Sequence, residues 1–337
     1  MSIQYRPMPQ PDRQALAALY AVPSVSLAHY PTPIEEVARF RAAILSAPRL
    51  LIKRDDAISF GFGGNKVRKI EMVTARARAD GADLLITTGG VQSNHCRVTA
   101  AAAARLGMRC VIVANGTPPE RLSGNALLDS LFGAEVRYVA SREERAPAME
   151  DVASAWRAQG GRPSVIPLGA STPLGALGFV RAVGEMVAQL PSPPDYIFHS
   201  TSSGGTQAGL VAGCSLHQLA TRVIGISADE SVAGIQSTVG AIIEGIGGLL
   251  GVDGRALALS RPIEADDRFI GDGYGVPSAA SREAQALLAT SEALVVDHTY
   301  TAKALAGMIG WIREGRIAAD QTVLFWHTGG QVGIFGI

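Results

Sequence analysis

LLITTGGVQSNHCRVTAAAAARLG, residues 84–107, is the stretch that decides the fold class. A short apolar run passes through Gly89 and Gly90 into an alanine-rich segment of helical length, so a strand is followed at once by a helix. The pattern repeats outward along the chain. RCVIVA (109–114), EVRYV (135–139), SVIPLG (164–169), YIFHST (196–201) and RVIGISAD (222–229) read as strands, and GALGFVRAVGEMVAQL (175–190) as a helix between two of them. RLLIKRDD (49–56) supplies an earlier strand and TVLFWHTGG (322–330) a last one. Runs that are apolar throughout mean strands covered on both faces, and their alternation with helices means parallel sheet. The expectation is an α/β protein of two interleaved lobes, with twisted, mostly parallel sheets flanked by helices.

Composition narrows the function classes. The chain has 337 residues, with 30 Lys plus Arg against 30 Asp plus Glu. A formally neutral chain lacks the basic excess expected of a nucleic-acid or membrane-surface protein. The N-terminal MSIQYRPMPQPDRQALAALY carries charge and proline where a signal peptide needs an apolar core. No apolar run approaches the roughly 20 residues of a membrane span. The three cysteines, Cys96, Cys110 and Cys214, have no CxxC spacing, so neither a zinc site nor a disulfide framework is expected. Few cysteines and no leader suggest a reducing cytoplasm.

In sheets of this kind ligands gather at the carboxyl ends of strands, and three such ends carry unusual chemistry. In TTGGVQSNHC (87–96), Ser93 and Asn94 fall at a helix start, where free N–H groups and the helix dipole favour an anion such as a carboxylate. Read alone, Ser93 is an ordinary N-cap; Gln92, Ser93 and Asn94 together suggest more. His95 and Cys96 cannot form a dyad, because neighbouring helical residues point about 100° apart, and packing roles are expected for both. In STSSGGTQAGL (200–210), Ser203, Gly204, Gly205 and Thr206 make a phosphate cup of backbone N–H groups and hydroxyls. Near the C-terminus, Tyr300, Thr301 and Thr328 could converge on one ligand or act separately as caps.

The segment GFGGNKVRKIE (61–71) places Lys66 behind a glycine cluster. It is not a P-loop, because Asn65 separates Gly64 from the lysine and Val67 stands where a magnesium-binding hydroxyl is needed. GxGxxG fails too, since Lys66 occupies the third glycine position. A lysine, a phosphate cup without nucleotide-hydrolysis machinery and an anion-binding helix start together point to pyridoxal phosphate, with the lysine as covalent anchor. Gly61, Gly63 and Gly64 would give the coenzyme ring room. A silent carrier of the coenzyme would keep Lys66 and the cup but lack acid/base groups. A nucleotide-binding module would need a GxGxxG turn and a ribose-binding acid, and neither is found.

GGNKVRKIE, GGVQSNH, SSGGTQAGL, GYGVP, YTAKALAGM and HTGG, in that order, resemble the pyridoxal-phosphate enzymes of the tryptophan-synthase β fold. More narrowly they resemble the group that holds D-cysteine desulfhydrase and 1-aminocyclopropane-1-carboxylate (ACC) deaminase, from LAHYPTP (27–33) to the C-terminus. The resemblance implies fold type II, with residues 1–68 and 180–337 forming the large cofactor-binding domain and 69–179 the small one. It implies Lys66 as the Schiff-base lysine and Asn94 at the cofactor's 3′ oxygen. Ser203, Gly204, Gly205 and Thr206 would hold the phosphate, with Lys69 lending charge. Gln92, Ser93 and Asn94 would meet the substrate carboxylate, and Ser93, Tyr274 and Tyr300 would be catalytic. It also implies a cytoplasmic homodimer acting on a small amino acid.

The reaction implied is β-elimination of a β-substituted alanine to pyruvate and ammonia. D-cysteine is the first candidate, with L-cysteate and ACC as alternatives. ACC deaminases resemble YEGK where this chain reads Tyr300-Thr301-Ala302-Lys303. A glutamate there would favour a protonated pyridinium and a strong electron sink; Thr301, with Thr328, offers a neutral partner and resembles the desulfhydrase side. The chain departs from the usual desulfhydrase pattern at His298 and Thr299, and in DDAISFGFGG (55–64), which border the pocket.

Overall fold

The computed structural model describes residues 12–336; the first eleven residues of the expected large domain and of the N-terminal segment discussed above, and residue 337, lie outside them. Ten strands form two sheets among the described residues. β1 (Ile34–Glu36), β2 (Arg49–Arg54), β7 (Tyr196–Thr201), β8 (Arg222–Ser227), β9 (Glu264–Asp266) and β10 (Thr322–His327) make a six-stranded sheet in the order β1-β2-β10-β7-β8-β9. β3 (Leu84–Gly90), β4 (Arg109–Asn115), β5 (Glu135–Val139) and β6 (Pro163–Val165) make a four-stranded sheet in the order β5-β4-β3-β6. The second sheet is inserted in sequence between β2 and β7, so the lobes interleave. Every pairing is parallel except β1 with β2.

The continuous apolar runs place alternate residues on opposite faces, and both faces are covered. In β10, Leu324 and Trp326 pack against the Pro173–Gln189 and Gly205–Leu216 helices, while Val323 and Phe325 pack against the Thr301–Arg313 helix. In the smaller sheet, Leu85 and Ile112 face the Lys66–Ala79 and Asn94–Leu106 helices, and Ile86 and Val111 face the Arg145–Ala158 helix. All three cysteines are free and buried.

Some expectations shorten or fail. SVIPLG is a strand only to Val165, because Pro167 has no N–H to donate and Gly169 takes φ 68°. The three-residue strands β1 and β9 carry no apolar run that would announce them. The Val232–Leu250 helix, 19 residues long with hydropathy 1.3, reaches the length and apolar character of a membrane span, contrary to expectation. Its Ile235, Val239, Ile242, Ile246 and Leu250 stripe belongs to the core under β7 and β8.

Candidate active site

The carboxyl ends of both sheets converge on one cavity of about 160 Å3. β3 contributes Gly89 and Gly90, β4 contributes Asn115, β7 contributes Ser200 and Thr201, and the residues after β10 contribute Thr328 and Gly329. Parallel strands leave their carboxyl-end loops on one side, and here two sheets present those ends to each other.

Lys66 opens the Lys66–Ala79 helix and lines the cavity. Its amine makes no hydrogen bond or ion pair among the described residues, and burial pulls its pKa down to about 8. The glycines before it have a different task from the one expected. Gly63 and Gly64 take φ of 72° and 97°, and a Cβ on Gly63 would lie 2.3 Å from the Ile58 carbonyl oxygen. They bend the backbone and let it close on Ile58 and Thr328. Neither lines the cavity, nor does Gly61.

The cup after β7 is built from hydroxyls whose protons can be traced. Gly204, at φ 77°, precedes the Gly205–Leu216 helix. Ser171 Oγ accepts from Lys69 Nζ at 3.1 Å and from Gly205 N at 3.3 Å. Its single proton therefore goes to Ser203 Oγ, 2.8 Å away, and leaves the Ser203 proton free to donate. Thr206 Oγ1 accepts from Asn65 Nδ2 at 2.9 Å and likewise keeps its proton to give. Ser203, Gly204 and Thr206 line the cavity; Gly205 does not, because its N–H is held by Ser171. Lys69 also stands behind the wall. It is fully buried, no carboxylate pairs with it among the described residues, and burial, with Lys66 nearby, lowers its pKa strongly. An ammonium with one serine for a partner fits an anion in front of that serine.

Ser93 and Asn94 line the opposite wall. Ser93 is the N-cap, accepting from Cys96 N at 3.3 Å, so the capping role and the cavity position coexist. Asn94 Oδ1 accepts from Asn125 Nδ2 at 3.0 Å and Arg97 Nη1 at 3.4 Å, which turns its NH2 toward the cavity. Gln92 is a correction. Its amide donates to Ser123 O at 3.1 Å and accepts from Asn125 N at 2.8 Å, and it does not line the cavity. It braces the loop instead of offering itself to a substrate. His95, expected to pack, lines the cavity while contacting Thr87 Oγ1 through Nε2 at 2.7 Å. Burial, then Lys66 and Lys69, push its pKa well down, so the imidazole is neutral.

Tyr274 and Tyr300 meet hydroxyl to hydroxyl at the mouth, with rings edge to face at 5.7 Å. Burial raises both phenols, and Tyr300 well above its usual value, so both keep their protons. The Tyr274 loop is tied down by Lys303, which donates to the carbonyls of Ile270 and Gly273 at 2.7 Å each. Thr301 is the second correction. Its hydroxyl donates to Asp297 Oδ1 at 2.6 Å and accepts from Asp297 N at 2.8 Å, and it lies behind the cavity wall. Thr328 is the hydroxyl that lines the cavity on that side.

Residues missed in the sequence are Asn65, Asn115, Arg142, Arg145 and Asp229, all of which line the cavity. Asn65 stands next to Lys66 and could have been found by position. Asn115 ends β4 directly before Gly116, a strand-end glycine that could have pointed to it, whereas Arg142, Arg145 and Asp229 sit in loops or at a helix start without a glycine signal.

A family model described as pyridoxal-phosphate dependent enzyme matches residues 25–329. The chain is 38% identical over 320 residues to D-cysteine desulfhydrase of Salmonella typhi, covering 93% of this chain and 95% of that protein. A solved structure described as an ACC deaminase homologue superposes with TM-score 0.88 at 35% identity, covering 96% of each chain. The processed form of threonine deaminase isoform 2 from Solanum lycopersicum shares the fold at TM-score 0.69 and 15% identity, covering 98% of this chain and 94% of that one.

Proposed function

Since the chain belongs to the pyridoxal-phosphate dependent enzymes, we propose that it uses that cofactor to remove the β-substituent of a small amino acid, releasing pyruvate and ammonia, with D-cysteine as the reference substrate. The observation that carries this reading is an unpartnered amine at about pKa 8 between a hydroxyl cup and a helix start. Pyridoxal phosphate supplies an aldehyde for an amine and a ring that accepts the electron pair left when a Cα proton is removed.

In this reading Ser203 and Thr206 donate their free hydroxyl protons to the phosphate, and Lys69 contributes charge through Ser171. Asn94 donates its amide to the ring oxygen. Ser93, with the N–H groups of the Asn94–Leu106 helix, holds the substrate carboxylate. Lys66 is the covalent anchor and also the base, because its pKa is the one near neutrality whereas the two phenols are raised. Tyr300 and Tyr274 act as proton donors or orienting groups. Thr328, in place of Thr301, gives the ring nitrogen a neutral partner. No carboxylate lines that side among the described residues, since Asp297 is bonded to Thr301, Thr299 and Tyr300 behind the wall. This favours elimination of a good leaving group over cyclopropane opening. A cytoplasmic homodimer belongs to the same reading, supported by the family resemblance and the three free, buried cysteines.

The test is turnover of the purified protein with each enantiomer of cysteine, with 3-chloroalanine and with ACC, following pyruvate and, from cysteine, sulfide. Sulfide and pyruvate from D-cysteine are expected. Turnover of ACC alone would sink the proposal.

A further inference from the structure

One buried cation behind the cavity wall has no counter-charge. Arg97, on the Asn94–Leu106 helix, is 1% exposed and does not line the cavity. Among the described residues no carboxylate pairs with it, and its guanidinium points at neutral oxygens. Nη2 donates to Gly63 O at 2.7 Å, and Nη1 donates to Asn125 Oδ1 at 3.0 Å and to Asn94 Oδ1 at 3.4 Å. Nε, also buried, has no partner among the described residues. The acid whose field reaches Arg97 is Asp129, from the Gly124–Leu131 helix. Burial pushes that carboxyl up to about 8, so at pH 7 it is mostly protonated. The thiols of Cys96 and Cys110, which Asp129 also reaches, are raised by burial and stay neutral. Burial pulls Arg97 itself down to about 10, which leaves it charged. A neutral side chain could brace the same oxygens without the cost of burying a charge, so the charge calls for an anion.

The oxygens that Arg97 holds belong to two sides of one ligand. Gly63 lies in the turn that leads into Lys66. Asn94, its Oδ1 occupied by Arg97 and Asn125, turns its NH2 to the cavity. The cup and Lys69 answer the cofactor phosphate, which leaves the hydroxyl on the cofactor ring as its other acidic group. We propose that Arg97 is a positioning residue for that ring oxygen: through Asn94 its buried charge holds the oxygen as an anion, and through Gly63 it keeps the Lys66 turn in register with it. This rests on the reading that Asn94 meets the ring oxygen, and adds a residue outside the cavity that acts through Asn94. An amide NH2 alone serves a hydroxyl or an oxyanion equally; a full charge one hydrogen bond behind it favours the oxyanion and polarises the amide toward stronger donation. With the cofactor on Lys66, the ring oxygen and the lysine nitrogen share a proton. A nearby positive charge favours the form that has lost it, so Arg97 lowers the pH at which that proton leaves.

The experiment has two readouts on the holoenzyme, neither of them activity: the pH midpoint of the cofactor's near-visible band, and the dissociation constants of pyridoxal phosphate and of 3-deoxypyridoxal phosphate, which lacks the ring oxygen, from equilibrium dialysis. Wild type is expected to hold pyridoxal phosphate roughly tenfold or more tighter than the deoxy analogue, as one charge-assisted contact implies. That comparison needs no variant to fold, and equal affinity would overturn the inference. Arg97→Gln should raise the midpoint by about one to two pH units, the shift expected when a full charge at this range is removed from a protein interior. It should also collapse the preference between the two cofactors, and Arg97→Lys should restore most of both. Asn94→Ala separates the two levels of the reading. If Asn94→Ala collapses the preference while Arg97→Gln leaves midpoint and preference as in wild type, the inference falls and Asn94 keeps its place at the ring oxygen. If Asn94→Ala changes neither, the placement of Asn94 falls and the inference with it. Equal weakening of both cofactors in Arg97→Gln and Arg97→Lys, at an unshifted midpoint, would make Arg97 a brace without an electrostatic task and overturn the inference as well.

Discussion

Two adjacent cations on one helix, Arg68 and Lys69, show how differently this protein treats buried charge. Arg68 is almost completely buried and is saturated: Nη2 to Asp55 at 2.7 Å, Nη1 to Glu185 at 2.8 Å, Nε to Asp55 at 2.9 Å. Against the desolvation that burial imposes, those carboxylates raise its pKa. Lys69, equally buried, has Ser171 and no acid, and burial drives its pKa down. Lys66, at the start of the same helix, shares that condition in milder form. A buried cation with its own carboxylates belongs to the architecture; a buried cation without them is waiting for an anion or working as a neutral base. The helix therefore divides its basic residues by face, with Arg68 toward the large sheet and Lys66 and Lys69 toward the cavity side.

The strongest way to break this comparison is Lys66→Ala. Turnover should fall by several orders of magnitude while the fold persists, because Lys66 has no partner to lose. Borohydride reduction followed by peptide mapping should label Lys66 in wild type; label on Lys69 or Lys303 would refute the assignment. Arg68→Met should act on stability instead. It leaves the buried Asp55 carboxylate without its cation and Glu185 with Lys53 alone, at a cost of about 3–5 kcal/mol, read from urea unfolding. Lys69→Met should reverse that order of sensitivity. Cofactor-free protein should be as stable as wild type or more so, while cofactor affinity drops about ten- to a hundredfold in equilibrium dialysis. An unchanged dissociation constant would remove Lys69 from the phosphate site.

A smaller effect sharpens the placement of Thr301. Thr301→Val removes a hydroxyl donor from the buried Asp297 carboxylate and should cost about 1–3 kcal/mol of stability with modest change in the reaction. A specific switch of substrate in this variant would restore Thr301 to the cavity. The smallest expected change is in pH. Only neutral Lys66 can attack an aldehyde, so the rate of cofactor incorporation should rise roughly tenfold between pH 7 and 9, levelling above the pKa of about 8. The same depressed pKa means the cofactor-free protein gains stability as pH rises from about 8 toward the ordinary lysine value of 10.5, because there the unfolded chain binds the extra proton. Lys66→Met should flatten that slope to the part Lys69 contributes in a pH series of thermal unfolding.

The strands β2, β3, β4, β5, β7, β8 and β10 are legible because apolar runs between helical segments are local signals, repeated often enough to fix a parallel architecture. Lys66, Ser93, Asn94 and the cup are legible because glycines and helix starts mark where backbone donors are exposed, and the family resemblance carries the tyrosines. Gln92 and Thr301 mislead for one shared reason. Each side chain can turn either to the cavity or to a neighbour in the protein, and spacing along the chain does not choose between them.

Sequence by itself determined the α/β class, the cofactor and several of the loops that line the cavity, since each depends on residue types within a dozen positions of one another. Only tertiary structure decided which donors face the cavity, because the partners that settle it come from far away in sequence. Asn65 meets Thr206 across 141 residues, and Lys69 meets Ser171 across 102. The same holds for Arg142 and Arg145, ordinary surface residues in the sequence, which become part of the mouth only when the loop after β5 is brought against β4, Asp229 and Tyr274. Hydrogen bonds and charges are short-ranged in effect, so the identity of a side chain states what it can do, and its distant neighbours determine whether it is free to do it.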